Sequence, residues 1–445
     1  MYQFPKDLYV DVRIEETYSS GYSVQNDEVK SDSITTVTGA MIRVFDGTMW
    51  YTGSTDNIDG IQSEIDNLSS LATPNPDILN HPVVAAYEAN VDTVLQYTGD
   101  KDIRTISREK RISLVNHYIS ACVDKSIPEL NFYGTNLFIT HRIKQFYSSK
   151  GASLIHDQQF VVFSIGYLFT VDGITSHGYS AFTKMEFPEL YGLEDEIITA
   201  RDKDLDYARH AVPVTPGSYT CVLSPNVTSF FTHESFGHKS EADYMLNDKS
   251  LQEEWVLSKQ VGNEKVTISD AGNLLRHGYV PYDDEGTKAT ETFLIKDGVL
   301  TGRLHDIKSA VTLKEAPTGN SRAQNYFRTP IVRMTNTYLL GGPDDPEAII
   351  KEVKDGIYVA RAEGGTGLST FTLNPDLCYR IQDGKLCEPL RVSVITGNVF
   401  QTLFDIDAVG SDFTINDCLD CGKNGQSAWV SAGGPTIRVK SLNVN

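Results

Sequence analysis

The sequence has few cysteines, few basic residues and no long apolar run, and each shortage excludes a class of protein. Its 445 residues include six cysteines, which are too few and too scattered for the disulfide framework of a small secreted domain. Lys and Arg number 39 against 59 Asp and Glu, a formal net charge of −20. A surface of this charge repels phosphate backbones and anionic lipid, so no direct binding to nucleic acid is expected.

The longest apolar run is too short to form a transmembrane helix. It covers residues 160–171, FVVFSIGYLFTV, whereas a helix needs about 20 apolar residues to cross a bilayer. The first residues, MYQFPKDLYVDVRIEE, lack the basic start and the apolar stretch of a signal peptide. We therefore expect a cytoplasmic protein without a membrane partner.

The composition is that of a folded protein with more than one domain. Hydrophobic residues make up 40% and aromatic residues 10% of the chain, and a single core stops growing at about 250–300 residues. Proline-rich stretches at 72–82 and 213–217 indicate two boundaries. The predicted units are 1–73, a βββα unit, 74–212, a middle α/β segment that completes the N-terminal portion, and 213–445.

Strand and turn patterns predict an α+β fold. The N-terminal portion is expected to be a β-rich α/β structure, because strand-like stretches alternate with helical ones. The C-terminal unit is rich in short strands, with hairpin signals at Asp297-Gly298 and Asp383-Gly384.

Histidines and acidic residues cluster after the first strand of this unit. The stretch FTHESFGHKSEADYM contains His233, Glu234, His238 and Glu241. Neutral imidazoles are zinc ligands, and a glutamate beside a ligand can take a proton from metal-activated water. The histidines, however, are five residues apart, which separates them by about 140° on an undistorted α-helix. Such a helix could not bring both to one metal ion.

A local distortion of the helix would remove this difficulty. A π-helical turn aligns residues five apart, and such turns concentrate at functional sites. Gly237, directly before His238, has no side chain to resist the distortion. The alternative is that both histidines are ordinary residues of a polar helix, and the spacing alone leaves both interpretations open.

A third ligand would have to come from elsewhere in the chain. The stretch DCLDCGKNGQSAWVSAGGPT near the carboxy terminus contains Cys418 and Cys421. Such a pair can be half of a structural zinc site or a redox pair. The strand-and-glycine context does not match a thioredoxin-like unit, and the second CxxC pair of a zinc ribbon is missing.

Together these motifs resemble the TldD/PmbA family of zinc-dependent peptidases. HESFGHKSEAD at 233–243 is similar to the family's HExxxH helix, and CGKNGQ at 421–426 is similar to its C-terminal CGKxGQ motif. Further stretches resemble the family in the same order, beginning at Tyr282, Thr318 and Phe371. The resemblance is dense in the C-terminal half and weaker before it.

The resemblance implies a role for each motif residue. His233, His238 and Cys421 would hold one Zn²⁺ per chain, with the fourth position open for water. Glu234 would be the general base that deprotonates this water. Glu241 would orient the His238 imidazole, and the alternative for it is a solvated helix carboxylate.

The family-like stretch RMTNTY at 333–338 is a candidate substrate contact. Arg333 and Asn336 could bind the backbone of an extended peptide or its terminal carboxylate. The alternative is that both residues serve only to satisfy the edge of a strand.

The expected function is therefore a zinc metallopeptidase that hydrolyses short or unfolded peptides with zinc-activated water. The resemblance also implies a homodimer or a heterodimer with a metal-free sister subunit. The alternative is a non-catalytic regulatory or partner subunit, in which the metal site is empty or closed by four ligands, His233, His238, Cys418 and Cys421. An older description of the family as modulators of DNA gyrase favours regulation, but the net charge argues against direct DNA contact.

Overall fold

The computed structural model describes residues 2–367 and 369–445, apart from the side chains of residues 418 and 419. In the described chain, the N-terminal half is built on one seven-stranded sheet of mostly long strands. The C-terminal half is built on an eight-stranded sheet, a six-stranded sheet and a two-stranded hairpin. This architecture confirms the predicted α+β class.

The elements of the N-terminal half follow one another in the order strand, strand, strand, helix and then a mixture of both. They are β1 Tyr9–Gln25, β2 Glu28–Phe45, β3 Trp50–Thr55, α1 Ile61–Leu71, α2 Pro82–Ala86, β4 Val91–Val94, α3 Arg108–Cys122, β5 Leu130–Ser148, β6 Ser153–Val171, β7 Ile174–Lys184 and α4 Glu194–His210.

The C-terminal half contains mostly short strands. Its elements are β8 Val212–Pro213, β9 Gly217–Leu223, α5 Pro225–Thr232, α6 Lys249–Glu254, β10 Ile268–Ala271, β11 Glu291–Lys296, β12 Val299–Leu300, α7 Ile307–Leu313, β13 Ser321–Arg322, β14 Ile331–Val332, β15 Asn336–Leu339, α8 Pro346–Lys351, β16 Asp355–Gly367, β17 Thr370–Gln382, β18 Lys385–Arg391, β19 Ile395–Asn398, α9 Val399–Asp405, β20 Ile406–Val409, β21 Thr414–Lys423, β22 Gln426–Gly434 and β23 Ile437–Val444.

The N-terminal sheet has the strand order β3-β2-β1-β5-β6-β4, and β7 pairs with β6. β1 runs antiparallel to both neighbours, so that Arg13 faces Met41 on β2 and Phe146 on β5. Asn26 and Asp27 join β1 to β2 with positive φ angles of 45° and 67°, as a tight hairpin turn requires.

Residues of β1 alternate between the two faces of this sheet, as the pleat of a strand requires. Val10, Val12 and Ile14 pack with α1 in one apolar core. The alternate residues Asp11 and Arg13 are also buried, and they face the C-terminal half. The second face of the sheet is therefore a buried polar interface.

Buried ion pairs cross this interface. Lys144 Nζ on β5 lies 2.8 Å from Asp284 Oδ1, and Arg43 Nη1 on β2 lies 3.1 Å from Glu285 Oε1. The acidic residues come from the family-like stretch that begins at Tyr282. Strands β1–β3 and β5–β7 belong to one sheet. The domain boundaries at 73/74 and 212/213 stay predictions.

The first sheet of the C-terminal half has the order β16-β9-β23-β19-β17-β18-β8, and β20 pairs with β23. β16 also pairs with β17, which closes part of this sheet into a barrel. The second sheet has the order β12-β11-β10-β15-β22-β21, so β21 is an edge strand.

No described helix combines the length and apolar character needed to cross a membrane.

Candidate active site

Helix α5 carries the first histidine into the core of the C-terminal half. Ser224 caps the helix by accepting a hydrogen bond from the Val227 backbone N–H at 3.3 Å, and Pro225 occupies the first turn. Thr228 packs on β22 at Gly434, where a Cβ would lie 2.4 Å from Thr228 Cγ2. The glycine thus allows the helix to approach the sheet closely.

The helix continues as a π-helical turn over His233–Gly237. This turn confirms the distortion predicted between Glu234 and His238. It brings the imidazole rings of His233 and His238 to a centroid separation of 5.2 Å, although the two residues are five apart. The π-helical turn therefore explains how two histidines five residues apart can approach each other.

Gly237 is needed here for a packing reason that the sequence did not reveal. Its φ of −56° and ψ of −60° are right-handed helical values, which any residue can adopt. A Cβ at this position would lie 1.8 Å from Met334 Sδ and 3.1 Å from Met334 Cε. The glycine makes room for the methionine that packs under the turn.

Gly237→Ala is expected to destabilise the protein by about 1–3 kcal/mol, the usual cost of overpacking a core. Either Met334 or the π-helical turn must move to admit the added methyl group. The midpoint of urea unfolding would measure the loss. Gly364→Ala is the matched control, because a Cβ at Gly364 meets nothing within 4 Å, and an equal loss in both variants would contradict the packing argument.

Three predicted ligands come together at this turn. His233, His238 and Cys421 each offer one ligand atom, and these atoms all lie within 4.8 Å of one another. Cys421 Sγ is 3.2 Å from His238 Nε2. The cysteine reaches the turn from β21, where it is paired with Ala428 of β22. Two imidazoles and one thiol are a donor set that fits Zn²⁺.

The surroundings shift the protonation of the two histidines in opposite directions. Burial, supported by the charges of His238 and Arg333, lowers the pKa of His233 well below its usual range. Burial also opposes the charged form of His238, but hydrogen bonds with Cys421 and Glu241 outweigh it and raise the pKa to about 10. Because a ligating imidazole must be neutral, a metal ion that bound His238 would displace a proton.

Glu241 holds the His238 ring in place. Its Oε2 is 3.0 Å from His238 Nδ1 and 3.2 Å from Lys423 Nζ. Lys423 is fully buried and also donates to Asp243 Oδ1 at 2.7 Å. The sequence analysis gave Lys423 no role, although its place two residues after Cys421 puts it on the same face of β21. The buried lysine thus links the two motifs.

Glu234 lines a cavity of about 1130 Å³ together with the three ligand residues. Burial raises the pKa of its carboxyl group, and the charge of His238 opposes this rise. Strand β16 packs closely on this residue, because a Cβ at Gly367 would lie 2.8 Å from the Glu234 backbone carbonyl oxygen. A carboxylate with a raised pKa at this position is suited to accept and return a proton.

Arg333 and Asn336 lie in the protein interior, and neither belongs to the cavity lining. Arg333 donates through Nη1 to the Gln426 carbonyl at 3.0 Å and through Nη2 to the Cys421 carbonyl. Asn336 accepts a hydrogen bond from the Gly278 backbone N–H at 3.1 Å. The contacts of Arg333 support the strand that carries Cys421, and peptide binding by the two residues stays a prediction.

Comparison with known protein families matches both ends of the chain. Residues 216–445 match the PmbA/TldA metallopeptidase C-terminal domain, and residues 10–72 match the PmbA/TldA metallopeptidase domain 1. The chain belongs to the PmbA/TldD family of metallopeptidases. Family membership and the prediction of a metallopeptidase are thereby confirmed, and the metallopeptidase family supports a metal cofactor.

Two relatives that match this chain over nearly the whole length of both proteins support this assignment. A metalloprotease of Synechocystis sp. is 28% identical over 100% of this chain and 96% of its own length. A zinc metalloprotease TldD homolog of Saccharolobus solfataricus is 29% identical over 98% of this chain and 96% of its own.

Solved structures share the fold of this metallopeptidase. A protein of Thermotoga maritima described as a candidate modulator of DNA gyrase superposes with a TM-score of 0.79 at 19% identity, covering 98% of this chain and 96% of the other. TldE from Thermococcus kodakarensis gives a TM-score of 0.76 at 14% identity, with the same two coverages. At these identities the similarity concerns the fold alone.

Proposed function

We propose that this metallopeptidase is a zinc enzyme in which His233, His238 and Cys421 hold one Zn²⁺ and Glu234 acts as general base. The proposal rests on one observation, the convergence of the three donors within 4.8 Å in the cavity that Glu234 lines. Three protein ligands leave a fourth position open, as in other catalytic zinc sites. Bound zinc would polarise the scissile carbonyl and lower the pKa of water.

The protein groups around the metal position would carry out the proton transfers. Glu234 takes a proton from the attacking water and returns it to the leaving amine. Glu241 and Lys423 keep the His238 ring in its ligating orientation. The cavity of about 1130 Å³ is slightly larger than the roughly 300–1,000 Å³ of most ligand pockets. This size supports short or unfolded peptides as substrates.

The assembly and location of the enzyme are further parts of the proposal. Family membership supports a dimer, formed either with a second copy of the chain or with a metal-free sister subunit, and we propose that this dimer works in the cytoplasm. The presence of all three ligands in one cluster favours this chain as the catalytic subunit over the regulatory alternative. The net charge of −20 argues against direct DNA contact.

Metal analysis combined with a peptide degradation assay tests the proposal. The purified chain is expected to carry about one zinc ion and to cleave an unstructured peptide, as followed by mass spectrometry. Chelation should stop cleavage, and added Zn²⁺ should restore it. Undiminished cleavage by the metal-free chain would refute the zinc mechanism.

Cys421→Ser is expected to lose most of the bound zinc, because a serine hydroxyl is a far weaker ligand than a thiolate. Cys418→Ser is the matched control and should keep about one zinc ion per chain. The side chain of Cys418 lies outside the described residues, so its part in the four-ligand alternative stays a prediction. Retention of zinc by Cys421→Ser together with loss by Cys418→Ser would assign the ligand to the other cysteine.

A further inference from the structure

A second group of metal-binding side chains lies at the rim of the same cavity. His177 on β7, Glu363 on β16 and Asp376 on β17 each offer one ligand atom, and these atoms all lie within 4.8 Å of one another. His177 Nε2 is hydrogen-bonded to Glu363 Oε1. The side chains of His177 and Glu363 are 48% and 53% exposed, whereas that of Asp376 is only 10% exposed.

Asp376 is the residue that points to a ligand. Its Oδ2 accepts a hydrogen bond from Arg361 Nε at 2.7 Å. Its Oδ1 is buried and has no hydrogen-bond partner in the described part of the chain. Leaving a buried acceptor without a donor destabilises the folded state, and the destabilisation is larger when the acceptor is charged. A cation bound between the three side chains would remove this destabilisation.

The charges around the cluster leave room for a divalent cation. Arg361 is shared between two carboxylates, because its Nη2 also lies 2.6 Å from Asp204 Oδ1. With Glu363 the group contains three carboxylates and one guanidinium, a formal charge of −2 when His177 is neutral. A ligating carboxylate usually has its second oxygen held by another donor, and Arg361 is such a donor.

We propose that His177, Glu363 and Asp376 form a second site for a divalent transition-metal ion. One imidazole and two carboxylates suit Zn²⁺ and similar ions. Because two of the ligands are half exposed, binding is weaker than at the thiolate-containing site. The rim site therefore empties during purification and fills when metal is added. It is independent of the peptidase mechanism.

The position of this site gives it a structural consequence. β7 belongs to the N-terminal sheet, whereas β16 and β17 belong to the barrel, so an ion there joins the two halves across the cavity. Gly365 follows Glu363 by two residues and packs on Glu234. Both groups of side chains line the same cavity, so the ion would share this cavity with the proposed catalytic centre.

Calorimetric titration of the metal-stripped full chain with Zn²⁺ tests the proposal. The wild type is expected to bind two ions, one tightly and one at least tenfold more weakly. His177→Gln and Glu363→Gln should each remove the weak event and keep the tight one. His117→Gln is the matched control, because His117 is also half exposed and hydrogen-bonded to a glutamate, Glu194. The His117→Gln variant should bind two ions, like the wild type.

Titration with Co²⁺ assigns each event to its site. Only the site with Cys421 can give a thiolate-to-cobalt absorption band, so this band should saturate with the first equivalent while the second adds none. Cys421→Ser should lose the band and keep the weak event, which separates a failure of the zinc mechanism from a failure of the rim site. One bound ion in the wild type, or two in both His177→Gln and Glu363→Gln, would overturn the proposal.

Discussion

Glu234→Gln is expected to lower the kcat for an unstructured peptide by about 10²–10⁴-fold, the usual contribution of a general base. The substitution keeps the size and shape of the side chain but removes its ability to take a proton. Glu234 lines the cavity beside the three predicted metal ligands, and burial raises the pKa of its carboxyl group. Because Glu234 is not one of the three predicted ligands, the zinc content should stay at about one ion per chain.

Glu196→Gln is the matched control for this experiment. Glu196 lines the same cavity from α4, so the variant makes the same chemical change without touching the metal ligands. Its kcat should stay close to that of the wild type. An unchanged kcat in Glu234→Gln would exclude this residue as the base and favour the regulatory alternative, whereas loss of zinc would indicate that Glu234 helps to hold the metal.

The three candidate ligand residues could be selected from the sequence because each lies in a short motif of recognisable spacing. His233, His238 and Cys421 converge in the structure although the cysteine is distant in the chain. The π-helical turn could also be predicted, since five-residue spacing has few other ways to bring two imidazoles together. Local patterns thus carried most of the candidate site.

The supporting residues could not be predicted, because their roles depend on contacts between distant segments. The space around Gly237 is set by Met334, and Lys423 matters because it meets Glu241 inside the core. Similarly, the alternation in β1 indicates a strand with one polar face, but it does not show that Asp11 is buried against the other half. Such features are visible only after the sheets are packed.

Asp284→Asn is expected to lower the free energy of unfolding by about 3–5 kcal/mol, the usual cost of breaking a buried ion pair from one side. Asp284 accepts hydrogen bonds from Lys144 Nζ at 2.8 and 3.0 Å and from the Ala323 backbone N–H at 2.7 Å. Asparagine has nearly the same shape but leaves the buried ammonium group without its main counter-charge. The midpoint of urea unfolding at pH 7 would measure the loss.

The same carboxylate predicts how stability depends on pH. Burial favours its neutral form, but Lys144 and Arg13 outweigh burial and lower the pKa of Asp284 below its usual range. A carboxylate with a lowered pKa in the folded state stabilises the protein above its unfolded pKa of about 3.9 and loses this contribution as the pH falls further. Asp284→Asn should therefore lose less stability than the wild type below about pH 4.

An exposed ion pair provides the control for both measurements. Glu347 and Lys351 are 3.0 Å apart on α8, with side chains 80% and 67% exposed, so Glu347→Gln should leave the midpoint of urea unfolding almost unchanged. A similarly small loss in Asp284→Asn would mean that water reaches Lys144 and that the polar interface is looser than its burial indicates. A large loss would show that the two halves, and with them the two walls of the cavity, are held together by charge as well as by apolar packing.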